Sequence, residues 1–258
     1  MAHLSNTSWA ERAGDLGGFI LAPLTATISR IRHARMFHPD GRTYRAKVTL
    51  CTSRPELKPI AERLRGPALV RLSSAWWRGE KPWRDALGMA VRFVRGGRIT
   101  AEPANDDQDL LLATIRFPWT LPFAPLATNV TSFLWNHFHA VSPFEIETVG
   151  RVKVRARSPR LTNEGGMSRE EHLAWAVSTH RAVYAIEVRK LDRPVWRRRW
   201  EPIAELHLEE PIDVDQSALR FSPFRAGRGL EPKGFVHHLR IASYAASQRA
   251  RRPRADGQ

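Results

Sequence analysis

Apolar and polar residues alternate one by one through Tyr44-Arg-Ala-Lys-Val-Thr-Leu50, the period of a strand with one face on a core. Ala68-Leu-Val-Arg-Leu-Ser73 and Met89-Ala-Val-Arg-Phe-Val94 repeat that form, and Gly96-Gly97 predicts a hairpin turn into a strand at Arg98-Ile-Thr-Ala101. Further strands are predicted from Asp109 to Ile115, from Val183 to Arg189 and from Ile203 to Leu208. Short strands with turns between them favour an antiparallel barrel or sandwich. Helical signals are fewer. Ser168-Arg-Glu-Glu171 has the form of a capping box that opens a helix to about Arg181. Thr131 to Phe138 is predicted as an aromatic-rich helix, and Phe235 to Arg251 as a final helix. The fold class is therefore α+β: one domain over residues 1–258, an antiparallel β-barrel with flanking helices and a C-terminal helix packed on it. Residues 1–30 are expected to form an amphipathic N-terminal arm, and 252–258 a disordered basic tail.

Composition narrows the partners. The chain carries 41 Lys and Arg against 26 Asp and Glu, a net charge of +15, with Arg in the great majority. Such a balance suits an anionic partner: nucleic acid, a membrane surface or a carboxylated ligand. Nucleic acid is not expected, because no exposed sheet shows aromatic–basic alternation. Peripheral lipid contact is compatible with the charge, and no apolar run is long enough to span a bilayer. The lone Cys51 excludes an intramolecular disulfide and a cysteine-rich metal site. The apolar stretch from Gly17 to Leu24 follows acidic Glu11 and Asp15, unlike the basic start of a signal peptide, so a cytoplasmic location is expected.

Three clusters could carry chemistry. In the final helix, Arg240, Tyr244, Ser247 and Arg251 fall on one stripe, since residues three and four apart share a helical face. A guanidinium one turn from a phenol favours the phenolate, and a phenolate on a rigid helix can ligate ferric haem iron. Taken alone, the stretch also reads as a basic helix with one buried Tyr. Arg35-Met-Phe-His38-Pro-Asp-Gly41 places a His and Phe37 at a strand entrance. That His could be an acid–base group or simply part of a Pro-Asp-Gly turn. In Val70-Arg71-Leu72-Ser73, Arg71 interrupts an apolar strand, and Ser73 points to the same side two residues on. An inward Arg71 would need a buried anion, whereas an edge strand would turn it to water. Other histidines are less promising. His137 and His139 flank Phe138, and alternate positions of a helix do not share a face, so no metal pair is expected there. His172 and His180 are expected on a helix surface, and His237 and His238 lie off the Tyr244 stripe.

Together these segments resemble the haem core of catalases, in a minimal, catalase-related form. The family pattern Arg-x-x-His-x-x-Gly is matched by Arg35, His38 and Gly41, and its Val-Arg-Phe-Ser strand by Val70-Arg71-Leu72-Ser73. Asp85-Ala-Leu-Gly88-Met-Ala-Val-Arg-Phe93 resembles Asp-x-x-Gly-x-Ala-x-Lys/Arg-Phe. Trp200 to Leu208, Phe221-Ser-Pro223 and Gly229-Leu-Glu-Pro232 resemble the stretch leading to the proximal side. Arg240-x-x-x-Tyr244-x-x-Ser247-x-Arg-x-Arg251 resembles the proximal helix motif. The likeness runs in order over roughly residues 30–251. It implies a catalase-like barrel with a C-terminal proximal haem helix and haem b as cofactor. Tyr244 would be the axial ligand of the ferric iron, with Arg240 holding it anionic and Ser247 on the same stripe. His38 would be the distal acid–base group, its ring oriented by Ser73. Arg35, Arg71 and Arg251 would meet the propionates, and Phe37 would pack on the distal face. Trp76, Trp77, Trp83, Phe117, Trp119 and Phe123 would lie near the distal mouth, as core more than as a channel.

The departures shape the expected activity. Catalases carry Gly-Asn-Asn-Thr-Pro after the Asp-Leu that ends a strand, and the Asn helps align peroxide. Here the stretch is Asp109-Leu-Leu-Leu-Ala-Thr114, with Thr114 the nearest polar candidate. The Pro and Asp of the family's Tyr-Pro-Asp-Thr are Ala245 and Ala246, and the long wrapping and helical regions of full-length catalases have no counterpart. The expected function is a haem peroxidase using hydrogen peroxide or organic hydroperoxides, with weak or no catalase activity and a small-molecule reductant or oxygen acceptor as second partner. Alternatives are a fatty-acid hydroperoxide isomerase or lyase, and a non-enzymatic basic protein that binds haem or another anion. A homo-oligomer is expected.

Overall fold

The computed structural model describes residues 41–74, 85–96, 98–116, 124–140, 142–163, 165–216 and 218–233. Its strands are β1 (Gly41–Leu50), β2 (Gly66–Ser74), β3 (Leu87–Phe93), β4 (Gln108–Ala113), β5 (Phe138–Ala140), β6 (Phe144–Ile146), β7 (Gly150–Arg157), β8 (Val183–Lys190), β9 (Glu201–Pro211) and β10 (Glu231–Pro232). Antiparallel pairing runs β1-β2-β3-β4-β5-β7-β8-β9 and returns to β1, which closes an eight-stranded barrel and leaves no open edge in the ring. β6 and β10 extend the sheet beside β7.

Closure follows from strict alternation. Tyr44, Ala46 and Val48 of β1, and Ala68, Val70 and Leu72 of β2, point into one apolar core, as do Val152, Val154 and Ala156 of β7. The intervening residues, Arg71 and Ser73 among them, therefore face outward. Tyr184 of β8 is fully buried in the core, its ring edge-on to Phe138 at 6.1 Å, and its hydroxyl donates to the Phe133 carbonyl at 3.3 Å. Two helices add to this core. Helix α1 (Lys58–Leu64) contributes Ile60, Ala61 and Leu64. Helix α2 (Arg169–Ser178) contributes Leu173, Ala176 and Val177. The α2 capping box is formed: Ser168 Oγ accepts the Glu171 N–H at 3.2 Å, and Glu171 Oε2 accepts the Ser168 N–H at 2.8 Å. That backbone bond holds the Glu171 carboxyl below its ordinary pKa.

Three sequence expectations fail for identifiable reasons. Residues 131–138 do not form a helix. Asn136 accepts the Asn129 N–H at 2.9 Å and donates to the carbonyls of Asn129 and Ser132, both at 2.6 Å, so side-chain bonds replace the helical ladder. Arg98 to Ala101 joins no strand ladder. Arg92 Nη1 takes the Ala101 carbonyl at 3.0 Å, and Asp107 Oδ2 takes the Ala104 N–H at 2.9 Å, which shapes a long loop instead of a hairpin. His172 is buried on α2, stacked on Trp175 at 5.7 Å and within 3.3 Å of Ser132 Oγ. The N-terminal arm, the final helix and the aromatic residues assigned to the distal mouth lie outside the described residues.

A second layer is fixed to the outer wall by β4. Asp109 is fully buried and accepts Arg92 Nε at 2.9 Å, Arg225 Nη1 at 2.6 Å and the Ser222 N–H at 2.8 Å. Arg92, equally buried, also donates to the carbonyls of Ala101 and Arg220. Gln108 donates to the carbonyls of Arg225 and Leu230 and accepts the Arg228 and Leu230 N–H groups. Asp109→Asn removes the charge that compensates buried Arg92. It is expected to lower unfolding free energy by about 3–5 kcal/mol in urea titration, and a loss under about 1 kcal/mol would contradict this role.

Candidate functional site

The first four strands lay out three rows across their outer wall. Cross-strand register aligns Gly41, Ser73, Gly88 and Ala113 in one row. The next row is Thr43, Arg71, Ala90 and Leu111, and the third is Arg45, Leu69, Arg92 and Asp109. The segments 212–216 and 218–222 cross the second and third rows. Ile212 donates to the Thr43 carbonyl at 2.9 Å, Gln216 Nε2 donates to Thr43 Oγ1 at 2.9 Å, and Arg71 Nε donates to Gln216 Oε1 at 3.4 Å. Leu219 and Phe221 pack on Leu69, and the Arg92 guanidinium lies over the Phe221 ring at 5.0 Å.

The first row has a different character. No residue in it extends past a hydroxyl, so it forms a flat strip, and Ser73 and Gly88 in it are buried. Gly41 is needed where it stands: a Cβ there would lie 2.6 Å from Arg71 Cζ and 2.8 Å from the Leu72 carbonyl oxygen. Its missing side chain is what lets the Arg71 guanidinium lie along the wall. Arg71 is itself 6% exposed. A buried cation and a buried hydroxyl thus stand in adjacent rows of one wall, next to a row that carries no long side chain.

The sequence-predicted site residues fall unevenly on this wall. Arg71 and Ser73 are brought together, as the alternation implied. Thr114 is one residue past β4, and its hydroxyl accepts the Leu87 N–H at 3.1 Å and the Thr128 hydroxyl at 2.8 Å. Those bonds tie it to the start of β3 and not to Arg71 and Ser73. Arg35, Phe37, His38, Arg240, Tyr244, Ser247 and Arg251 lie outside the described residues. Among the described residues, no group of His, Cys, Asp and Glu is placed to hold a metal ion.

The opposite wall, β5 to β8, carries a cationic cluster. His139, Arg155 and Glu187 align across β5, β7 and β8. Glu187 accepts Arg155 Nε at 2.6 Å and Arg157 Nε at 2.7 Å. The Arg155 and Arg189 guanidiniums lie over the Trp200 ring at 4.3 and 4.7 Å, and His139 is tilted against the same ring at 6.2 Å. Burial and then Arg155 push the His139 imidazole down to a pKa of about 3. The helical argument against pairing His137 with His139 is overtaken here, because Phe138 belongs to a strand and its neighbours share a side. The two imidazoles still lack a third metal-binding partner among the described residues.

No protein-family model and no characterised protein matches the sequence. Among solved structures the chain is similar to a fungal catalase, with 13% identity and a TM-score of 0.57 over 84% of this chain and 59% of the catalase. The likeness is one of fold: the closed antiparallel barrel is a catalase-like core, and this chain covers 59% of that catalase's length.

His139 generates a pH prediction. Its folded pKa is near 3, below the ordinary 6.5 of the unfolded chain. Between those values the unfolded chain binds the extra proton, so acidification through that window lowers stability. His139→Gln should show a shallower fall in urea midpoint than the parent from pH about 6.5 to 3. Parallel curves would rule out a neutral, half-buried imidazole.

Proposed function

We propose that the protein is a haem-dependent peroxidase acting on hydrogen peroxide or organic hydroperoxides, with little catalase activity. The observation that carries this reading is the first barrel wall, where Arg71 and Ser73 stand in adjacent rows beside the flat strip of Gly41, Ser73, Gly88 and Ala113. The strip can take a planar macrocycle, and buried Arg71 suits a carboxylate at its edge. The catalase-like barrel supports the same choice of ligand.

Bound haem supplies the iron at which the peroxide O–O bond is cleaved. The chain's own residues divide the remaining work. Arg71 would hold a propionate, with Arg35 and Arg251 as its partners in that task. Tyr244 would be the metal-binding phenol, and Arg240, four residues earlier in the sequence, would favour its anionic form. His38 takes the peroxide proton and returns it to the departing oxygen, which leaves as water. Ser73 would orient the His38 ring for this transfer. The Asn that aligns peroxide in catalases has no counterpart here, which favours a reducing co-substrate over a second peroxide.

The test begins with the absorbance spectrum of purified protein supplemented with haem. A high-spin, tyrosinate-ligated ferric spectrum is expected, and Tyr244→Phe should lose the haem or change that spectrum. An unaltered spectrum in the variant would remove Tyr244 as ligand. His38→Ala should keep haem yet slow its reaction with peroxide by about two orders of magnitude or more. An unchanged rate would leave a haem-binding protein without turnover as the better reading. Dye oxidation should exceed oxygen evolution in steady state.

A further inference from the structure

The connection from β8 to β9 reads Leu191-Asp-Arg193-Pro-Val-Trp196-Arg-Arg-Arg199-Trp200. Pro194 fixes its own φ and leads into a single 3₁₀ turn, Val195–Arg197. Arg198 then closes the loop on itself. Its Nε donates to the Arg193 carbonyl at 2.6 Å and its Nη2 to the Leu191 carbonyl at 2.8 Å. The base is equally fixed, by the Leu191 N–H on the Arg151 carbonyl at 2.8 Å and by Trp200 under Arg155 and Arg189. These contacts brace the loop at its tip and its base, and Val195 and Trp196 stand out into water.

Val195 is 72% exposed and Trp196 81%, the most exposed large apolar side chains among the described residues. A single exposed apolar residue is ordinary, but an adjacent Val–Trp pair on a braced loop tip is a feature built for contact. Arg193, Arg197 and Arg199 surround the tip, are exposed, and form no ion pair among the described residues. Asp192 is the one acid in the loop.

We propose that this loop docks the protein onto an anionic lipid surface. Trp196 and Val195 enter the boundary between headgroups and acyl chains, where an indole can bury its body and keep its N–H wet. Arg193, Arg197 and Arg199 meet the lipid phosphates and carboxylates, which guanidiniums bind in bidentate fashion. The net charge of +15 acts in the same direction over longer range. No helix among the described residues is long and apolar enough to cross a membrane.

Other partners fit the loop less well. Stacking on nucleic-acid bases uses flat rings in series. Here Val195 offers nothing to a base, and the next ring, Trp200, already carries two guanidiniums. A two-fold contact between copies would set Arg193, Arg197 and Arg199 against their own images.

The full chain can be co-sedimented with vesicles of phosphatidylcholine alone and of phosphatidylcholine with about one-third phosphatidylserine. Binding is expected only to the second, falling as salt rises. Trp196→Ala should lower that partitioning by roughly tenfold. The triple change Arg193→Gln, Arg197→Gln, Arg199→Gln should lower it by about a hundredfold. A fluorophore on Val195→Cys, in a background where exposed Cys51 is changed to Ser, should shift to the blue on phosphatidylserine vesicles. Equal binding to both vesicles would overturn the proposal, as would an unmoved fluorophore. So would a Trp196→Ala protein that binds vesicles like the parent while losing affinity for a single-stranded oligonucleotide.

Discussion

A charge pair with no water around it governs how the chain wraps its barrel. Asp109 and Arg92 face each other across β4 and β3, with side chains no more than 1% exposed. Neither could be left there alone, because an uncompensated charge in that wall would cost several kcal/mol, on the order of 3–5. Each therefore recruits what the surrounding chain can offer. Asp109 draws in Arg225 and the Ser222 backbone, and Arg92 draws in the carbonyls of Ala101 and Arg220. Such a pair adds little net stability over apolar residues of the same size; its effect is to reject other placements of the segments it binds. The same segment carries Gln216 to Thr43 and Arg71, so the candidate site takes its outer cover from the Asp109 anchor.

The two outer walls of the barrel solve the problem of an Arg-rich chain differently. On β1 to β4, the two buried arginines, Arg71 and Arg92, stand singly and donate to named acceptors. On β5 to β8 they are massed, with one acid, Glu187, between Arg155 and Arg157, and the surplus is spread over the Trp200 ring. Guanidinium permits this where ammonium would not, since its flat faces can stack while its edges donate. Lys153, on the same wall, shows the contrast. Burial, then Arg189 and Arg151, lower its pKa, and its ammonium reaches the Ala140 carbonyl at 3.4 Å. His139 meets the same field by staying neutral.

Strands with clean alternation could be read from the sequence because half of each is buried in one core. β1, β2, β3, β8 and β9 all announce themselves that way, and the α2 capping box is a local motif that needs no tertiary information. β7 carries the same alternation, Val152, Val154 and Ala156 against Lys153 and Arg155, yet it was not among the strands expected from the sequence. The turns at 129–136 were not legible. Their aromatic content mimics a helix, while the deciding bonds belong to Asn129 and Asn136, residues seven apart. β5 is only three residues long, so its side preference comes from its neighbours β4 and β7.

For the candidate site, alternation was enough to put Arg71 and Ser73 on one side, since a period of two needs no partner strand to be known. Register was not accessible, and register is what places Gly88 and Ala113 in line with Ser73. The loop before β9 shows the limit of composition more sharply. Trp196 and Trp200 are four residues apart and both sit among arginines, yet one is 81% exposed and the other lies under two guanidiniums. Arg197 and Arg198 are adjacent and chemically identical, yet Arg198 is committed to two carbonyls and Arg197 projects into solvent. A count of positive charges assigns the two arginines the same role. What separates them is the end of the single turn at Val195–Arg197: Arg198 follows it in extended backbone, and its guanidinium reaches back to the Arg193 and Leu191 carbonyls, while Arg197 stays on the exposed turn.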